Sequence, residues 1–165
     1  NPARMPAARS DAIALSRELY DGDGKPIGKR PLKVGESVLV RIQVKPKILV
    51  GNGLVVDRIP AGLEIENLNI VQGEKMGSVS IAGIDPADAM ADRRIQHVEF
   101  RDDRFVAAVR LQGEINLFYR ARVVTPGKFV FPPLYAEDMY RPDTYGLAEG
   151  EGSLTVIDGK EKTAP

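Results

Sequence analysis

SVLVRIQVK, residues 37–45, decides the fold. Val38, Val40, Ile42 and Val44 point one way and Leu39, Arg41, Gln43 and Lys45 the other. Strict period-two alternation of this kind belongs to a strand with one buried and one wetter face. The same pattern recurs outward in the chain. Ile115, Leu117, Tyr119, Ala121 and Val123 alternate with Arg120 and Arg122 turned out. Phe105, Ala107, Val109 and Leu111 form another row, joined to residues 96–100 by a hairpin about Asp102-Asp103, with Val98 and Phe100 facing in.

Shorter strands fill the gaps. Ile13, Leu15 and Leu19 mark a first strand ending at Tyr20, followed by the turn Asp21-Gly22-Asp23-Gly24. Its Asp-x-Asp spacing matches the start of a calcium loop. The twelfth position, where such a loop needs a bidentate Glu, is Leu32, so a plain turn is the reading. Gly51-Asn52-Gly53 reads as a turn between two short apolar runs, and Pro60 and Gly62 as a bend. Ile65 and residues 68–71 offer one more strand, and Leu154, Val156 and Ile157 the last. Asp85-Pro86 can open a helix of a turn or two inside a long crossover, with Asp85 as cap and Asp88 complementing the dipole. Seven or more short strands with one small helix indicate an all-β, antiparallel two-sheet sandwich. Its expected core includes Val38, Val40, Ile42, Phe100, Val109, Leu117, Tyr119 and Ala121. Residues 1–10 read as a disordered lead-in, 11–158 as the domain and 159–165 as a polar tail.

Composition narrows the function. The 165 residues carry 23 basic and 23 acidic side chains, which leaves no basic footprint for nucleic acid. Cysteine is absent, so disulfides, thiolate catalysis and cysteine zinc sites are excluded within this stretch. No apolar run approaches a membrane span, and NPARMPAARS lacks the apolar core of a signal peptide. Asn1 is no initiator, which favours a piece of a longer exported protein. The single histidine, His97, lies mid-strand on the wetter face with Glu99 and Arg101. No nucleophile–base, phosphate-loop or metal-ligand motif occurs, so neither enzyme activity, cofactor nor metal is expected. Asp102-Asp103 is an acidic pair at a hairpin tip without the burial that acid–base work requires, and Glu137-Asp138, in the aromatic loop, is read as orienting that loop and not as catalytic.

Residues 123–145, VVTPGKFVFPPLYAEDMYRPDTY, stand apart. The chain turns at Thr125-Pro126-Gly127, returns through Phe129 and Phe131, and is expected to leave the sheets at Pro132-Pro133, since proline lacks a donor. Gly146 begins an acidic flexible loop reaching residue 152. A loop this stiff and aromatic either covers the end of the core or touches something else. An apolar Met139-Tyr140 at its tip favours contact.

Three stretches together resemble a known family: VDRIPAGLE at 56–64, HVEFRDDRFVAAVRL at 97–111 and ARVVTPGKFVFPPLYAEDMY at 121–140. They look like the C-terminal macroglobulin-like domain of bacterial alpha-2-macroglobulins, and the likeness covers residues 13–158. The strand around Tyr119 is also similar to the corner-tyrosine strand of fibronectin-like sandwiches. The family resemblance implies a periplasmic, broad-range, peptidase-trapping inhibitor of bacterial defence, either inner-membrane-anchored as a lipoprotein or exported. It implies as partners the parent's neighbouring domains, above all the thioester-type domain, and target peptidases through the parent. In the family a Met-Tyr pair helps cover the thioester until a peptidase cuts the bait region; that pair matches Met139-Tyr140. Pro132, Pro133, Tyr135, Glu137, Asp138, Arg141 and Pro142 would then support the loop, with the charged residues keeping its tip soluble. Tyr140 is expected to be at least partly solvent-exposed in the isolated domain. The other reading open at this point is a structural or adhesive sandwich module of an exported surface protein.

Overall fold

The computed structural model describes residues 12–66, 79–148 and 153–158. The expected strand at 68–71, the lead-in and the polar tail lie outside the described residues. Among the described residues twelve strands run β1 (Ile13–Tyr20), β2 (Leu32–Lys33), β3 (Ser37–Pro46), β4 (Val50–Arg58), β5 (Leu63–Glu66), β6 (Ile95–Phe100), β7 (Arg104–Leu111), β8 (Ile115–Val123), β9 (Gly127–Val130), β10 (Leu134–Asp138), β11 (Arg141–Ala148) and β12 (Ser153–Ile157). One helix, α1 (Pro86–Met90), precedes β6.

The alternation seen in the sequence sets the two main layers. One sheet has the order β1-β3-β8-β5 and the other β11-β10-β4-β7-β6, all pairs antiparallel. Val38, Val40, Ile42 and Val44 of β3 and Ile115, Leu117, Tyr119, Ala121 and Val123 of β8 are buried against Val55, Phe105, Ala107, Val109, Leu111, Leu134 and Ala136 from the facing sheet. A third, three-stranded sheet β2-β12-β9 adds Leu32, Leu154 and Val156 to that core. Its β12–β2 pair is parallel, a departure from the purely antiparallel expectation.

Several expectations are corrected. Phe100 is only half-buried, because β6 is the edge strand of its sheet among the described residues. Leu39, read as facing water, is 3% exposed. Together with Tyr20 and Phe118 it lies under Ile81, Val79, Ile84 and Met90, so the crossover covers the outer face of the first sheet. α1 sits in that crossover as expected: the Asp85 carboxylate accepts from the Ala87 N–H at 2.9 Å, and the Phe118 N–H points at the Met90 sulfur, 3.2 Å away. Gly51-Asn52-Gly53 is no turn. It is an irregularity inside β4, whose register against β7 shifts between Val50 and Gly53. Gly53 pairs with Val109, and a Cβ there would meet Leu111 Cδ1 at 2.8 Å and the Val109 carbonyl oxygen at 3.1 Å, so the close approach leaves little room for a side chain. Asp21 does close a plain turn, accepting from the Asp23 and Lys25 N–H groups.

The stretch after Pro133 is also regular. Leu134–Asp138 lies inside the five-stranded sheet, between β4 and β11, not outside the sheets. The prolines permit this because none falls within those five residues; Pro132-Pro133 end before the strand begins and Pro142 lies in β11 at the sheet edge. Residues 146–148 continue β11 instead of opening the expected acidic loop, and residues 149–152 lie outside the described residues.

Candidate functional site

β10 and β11 form a hairpin whose turn is Met139-Tyr140. The turn is held from three sides. Asp138 is 3% exposed, its Oδ1 accepts from the Tyr140 N–H at 3.0 Å and its Oδ2 from Arg141 Nε at 3.2 Å. The Met139 N–H donates to the Asn52 carbonyl of β4 at 2.8 Å. Asp138 was read as one of the charges keeping the tip soluble. Instead it faces inward, in the row of Leu134 and Ala136, and its carboxylate caps the turn. The tip side chains are open instead: Tyr140 is 78% exposed and Met139 39%.

Lower in the hairpin, the Tyr135 hydroxyl donates to Glu137 Oε1 at 2.6 Å, and its ring lies 5.9 Å from that of Tyr145. Burial first, and then the Glu137 carboxylate, push the Tyr135 pKa up, so this hydroxyl stays a donor at neutral pH. Gly146 of β11 lies so close to β1 that a Cβ there would overlap the Ile13 carbonyl oxygen. That approach fixes β11 against the edge of the other sheet.

The base of the hairpin is tied to a buried polar group that the sequence reading passed over. Arg17 of β1 donates through Nη2 to Asp57 Oδ1 of β4 at 2.6 Å and to the Pro132 carbonyl at 2.9 Å. The Tyr119 hydroxyl of β8 donates to the other oxygen, Asp57 Oδ2, at 2.6 Å. Tyr119 is therefore not a corner tyrosine bonded to nearby backbone: its hydroxyl reaches across the sandwich. Burial, followed by the Asp57 charge, raises its pKa well above the usual tyrosine value. The Arg17 guanidinium also lies 4.8 Å from the Phe131 ring centroid, and the Phe105 ring stacks on Tyr119 at 4.8 Å. A signal existed in the sequence. Arg17 shares parity with Ile13, Leu15 and Leu19, and Asp57 with Val55 and Ile59, so each is a charge in an apolar row.

Together these contacts present an aromatic ring and a thioether on a rigid, pre-ordered turn. Among the described residues no cluster of His, Asp or Glu could hold a metal ion. His97 is exposed beside Glu99, at 3.4 Å. No described helix is long and apolar enough to cross a membrane. Pro133 precedes β10, Glu137 lies within it, and Arg141 and Pro142 open β11; the Arg141 side chain is 62% exposed at the turn.

Residues 13–143 match the family model of the bacterial alpha-2-macroglobulin MG10 domain. A curated alpha-2-macroglobulin of Xylella fastidiosa (strain Temecula1) is 41% identical over 158 residues, covering 94% of this chain and 10% of its own. The crystal structure of native Escherichia coli alpha-2-macroglobulin from domain MG7 to the C-terminus superposes with a TM-score of 0.79 at 38% identity, covering 88% of this chain and 23% of that one. Salmonella alpha-2-macroglobulin reacted with methylamine gives a TM-score of 0.75 at 36% identity, covering 90% and 9%. The chain thus spans about a tenth of the length of these curated relatives. With the family model covering its β-sandwich and these relatives extending over nearly all of it, the chain belongs to the MG10 domain family of bacterial alpha-2-macroglobulins.

Proposed function

We propose that this domain packs through Met139 and Tyr140 against the thioester-type domain of its parent, a periplasmic peptidase-trapping inhibitor, and helps shield the thioester in the resting state. The observation that carries the reading is the contrast at the turn: Tyr140 is 78% exposed while the Asp138 beneath it is 3% exposed and fully engaged. A buried, hydrogen-bonded support under an exposed aromatic lowers the ordering cost of a contact. Without cysteine the domain cannot hold a thioester itself, so the bond it covers belongs to another part of the parent. The Salmonella relative reacted with methylamine supports an amine-reactive centre in such proteins. A thioester persists only where water and amines are kept out, and an aromatic ring with a flexible thioether suits that task. The role is that of a cover and a docking element, not a catalyst.

The test is Tyr140→Ala in the full-length parent. Covering one such side chain is worth about 1.5–3 kcal/mol, so methylamine should consume the thioester roughly 10- to 100-fold faster. The isolated domain should keep its stability within about 0.5 kcal/mol, as at other surface sites. Unchanged amine reactivity combined with strong destabilisation of the isolated domain would make Tyr140 a core residue and overturn the reading.

A further inference from the structure

A second apolar turn stands beside the hairpin tip. β3 ends at Pro46 in one sheet and β4 begins at Val50 in the other, so residues 47–49 cross over the end of the sandwich. Ile48 and Leu49 are 46% and 72% exposed there. β10 runs antiparallel to β4 with Asp138 opposite Gly53, and the Met139 N–H bonds to Asn52, three residues beyond Leu49. The β3–β4 and β10–β11 turns therefore close the same end of adjacent strands. Of the eight large hydrophobic side chains exposed among the described residues, these two turns hold four. A single exposed apolar residue needs no explanation, but four on two adjoining turns make a patch.

We infer that Ile48 and Leu49 form a second prong of the contact made by Met139 and Tyr140, docking on the same neighbouring domain of the same polypeptide, at an apolar surface rimmed by carboxylates. The inference rests on the reading of the hairpin tip as an interdomain contact. Three observations commit it to that occupant. The patch is continuous with the tip through the Met139–Asn52 hydrogen bond. This chain covers 10% of its curated relatives, so the bulk of such a polypeptide lies outside the structure. Lys45 and Lys47, on either side of Pro46 just before Ile48 and Leu49, are exposed, while Arg141 at the other turn is already engaged by Asp138, so the two lysines call for carboxylates on the facing surface.

The experiment uses the full-length parent with the photo-crosslinking residue p-benzoylphenylalanine replacing Leu49, Tyr140 or, as an equally exposed control in the three-stranded sheet, Val130. Positions 49 and 140 should each crosslink within one chain to the same domain outside residues 1–165, and position 130 should not. Leu49→Asp in the variant labelled at position 140 should lower the yield of that product about tenfold, the factor expected for losing one buried aliphatic side chain. If position 140 crosslinks to another domain while position 49 gives no product within the chain, a product on a different domain, or only chain-to-chain dimers, the second prong is refuted and the tip reading stands. If neither position crosslinks within the chain, both are refuted.

Discussion

Replacing Arg17 with methionine removes a guanidinium whose side chain is 2% exposed and strands the Asp57 carboxylate, which is fully buried. Methionine keeps most of the aliphatic volume, so a cavity is not the main effect. What is lost is the charge-assisted pair at 2.6 Å and the bond to the Pro132 carbonyl at 2.9 Å. Breaking a buried pair from one side costs about 3–5 kcal/mol, because the remaining charge is left without compensation. The Tyr119 hydroxyl still donates to Asp57 and holds the loss toward the lower end of that range. Against a typical domain stability of roughly 5–15 kcal/mol, the change is readily measured by urea denaturation of the 165-residue chain followed by circular dichroism. Adding Asp57→Asn should restore part of the loss, since the stranded charge is gone, giving a coupling energy of about 1–3 kcal/mol in the double-mutant cycle. A loss under about 1 kcal/mol for Arg17→Met, the range of a solvent-exposed pair, would refute the reasoning, as would a double variant no better than the sum of the singles.

Ile42→Ala, at a fully buried position of β3, should cost about 2–5 kcal/mol in the same assay, and a loss under about 0.5 kcal/mol would remove Ile42 from the core. Gly146→Ala should cost about 3 kcal/mol or more, because the new methyl group overlaps backbone and not a movable side chain; an unchanged melting temperature would mean that β1 and β11 do not touch. Asp92 is held at a pKa of about 2, below its usual 3.8, first by its hydrogen bond to the Arg94 side chain. Its contribution is therefore present above about pH 4 and lost as pH falls through about 2, and for so partly exposed a pair it stays below about 1 kcal/mol. Wild type and Asp92→Asn should accordingly differ in urea midpoint at pH 6 and converge near pH 2.

The sandwich was legible wherever one strand carried its own complete message. Val38, Val40, Ile42 and Val44, and likewise the odd-numbered residues of β8, declare their buried face without reference to any other part of the chain. Leu39 and Phe118 were not legible because their cover, Ile81 and Met90, comes from a crossover with no periodicity of its own. Arg17 and Asp57 show the same limit in another form. Each violates its row, but only the superposition of β1 on β4 turns two anomalies into one satisfied pair. The apolar pair at the tip pointed to contact, but the partner and the shielding role proposed for Met139 and Tyr140 came from resemblance, since nothing in the residues themselves names what they touch. Their exposure decides only that they do not serve as that cover.

The prolines of residues 123–145 misled for a physical reason. Proline forbids a ladder bond at its own nitrogen and holds the residue before it extended, but it does not bar the residues after it from a ladder. Pro132-Pro133 therefore do not expel the hairpin from the sheet; they frame its entry. At that entry the Pro132 carbonyl is taken by Arg17, from the opposite sheet, which fixes where β10 begins. From there the inward row Leu134, Ala136, Asp138 leaves one position for the carboxylate that caps the turn. A slip of one residue would turn Asp138 to water and Tyr135 and Glu137 into the core, so the register is strongly specified. The exposure of Tyr140 at the tip is thus set from both ends of β10: by a buried arginine at its start and a buried aspartate at its finish.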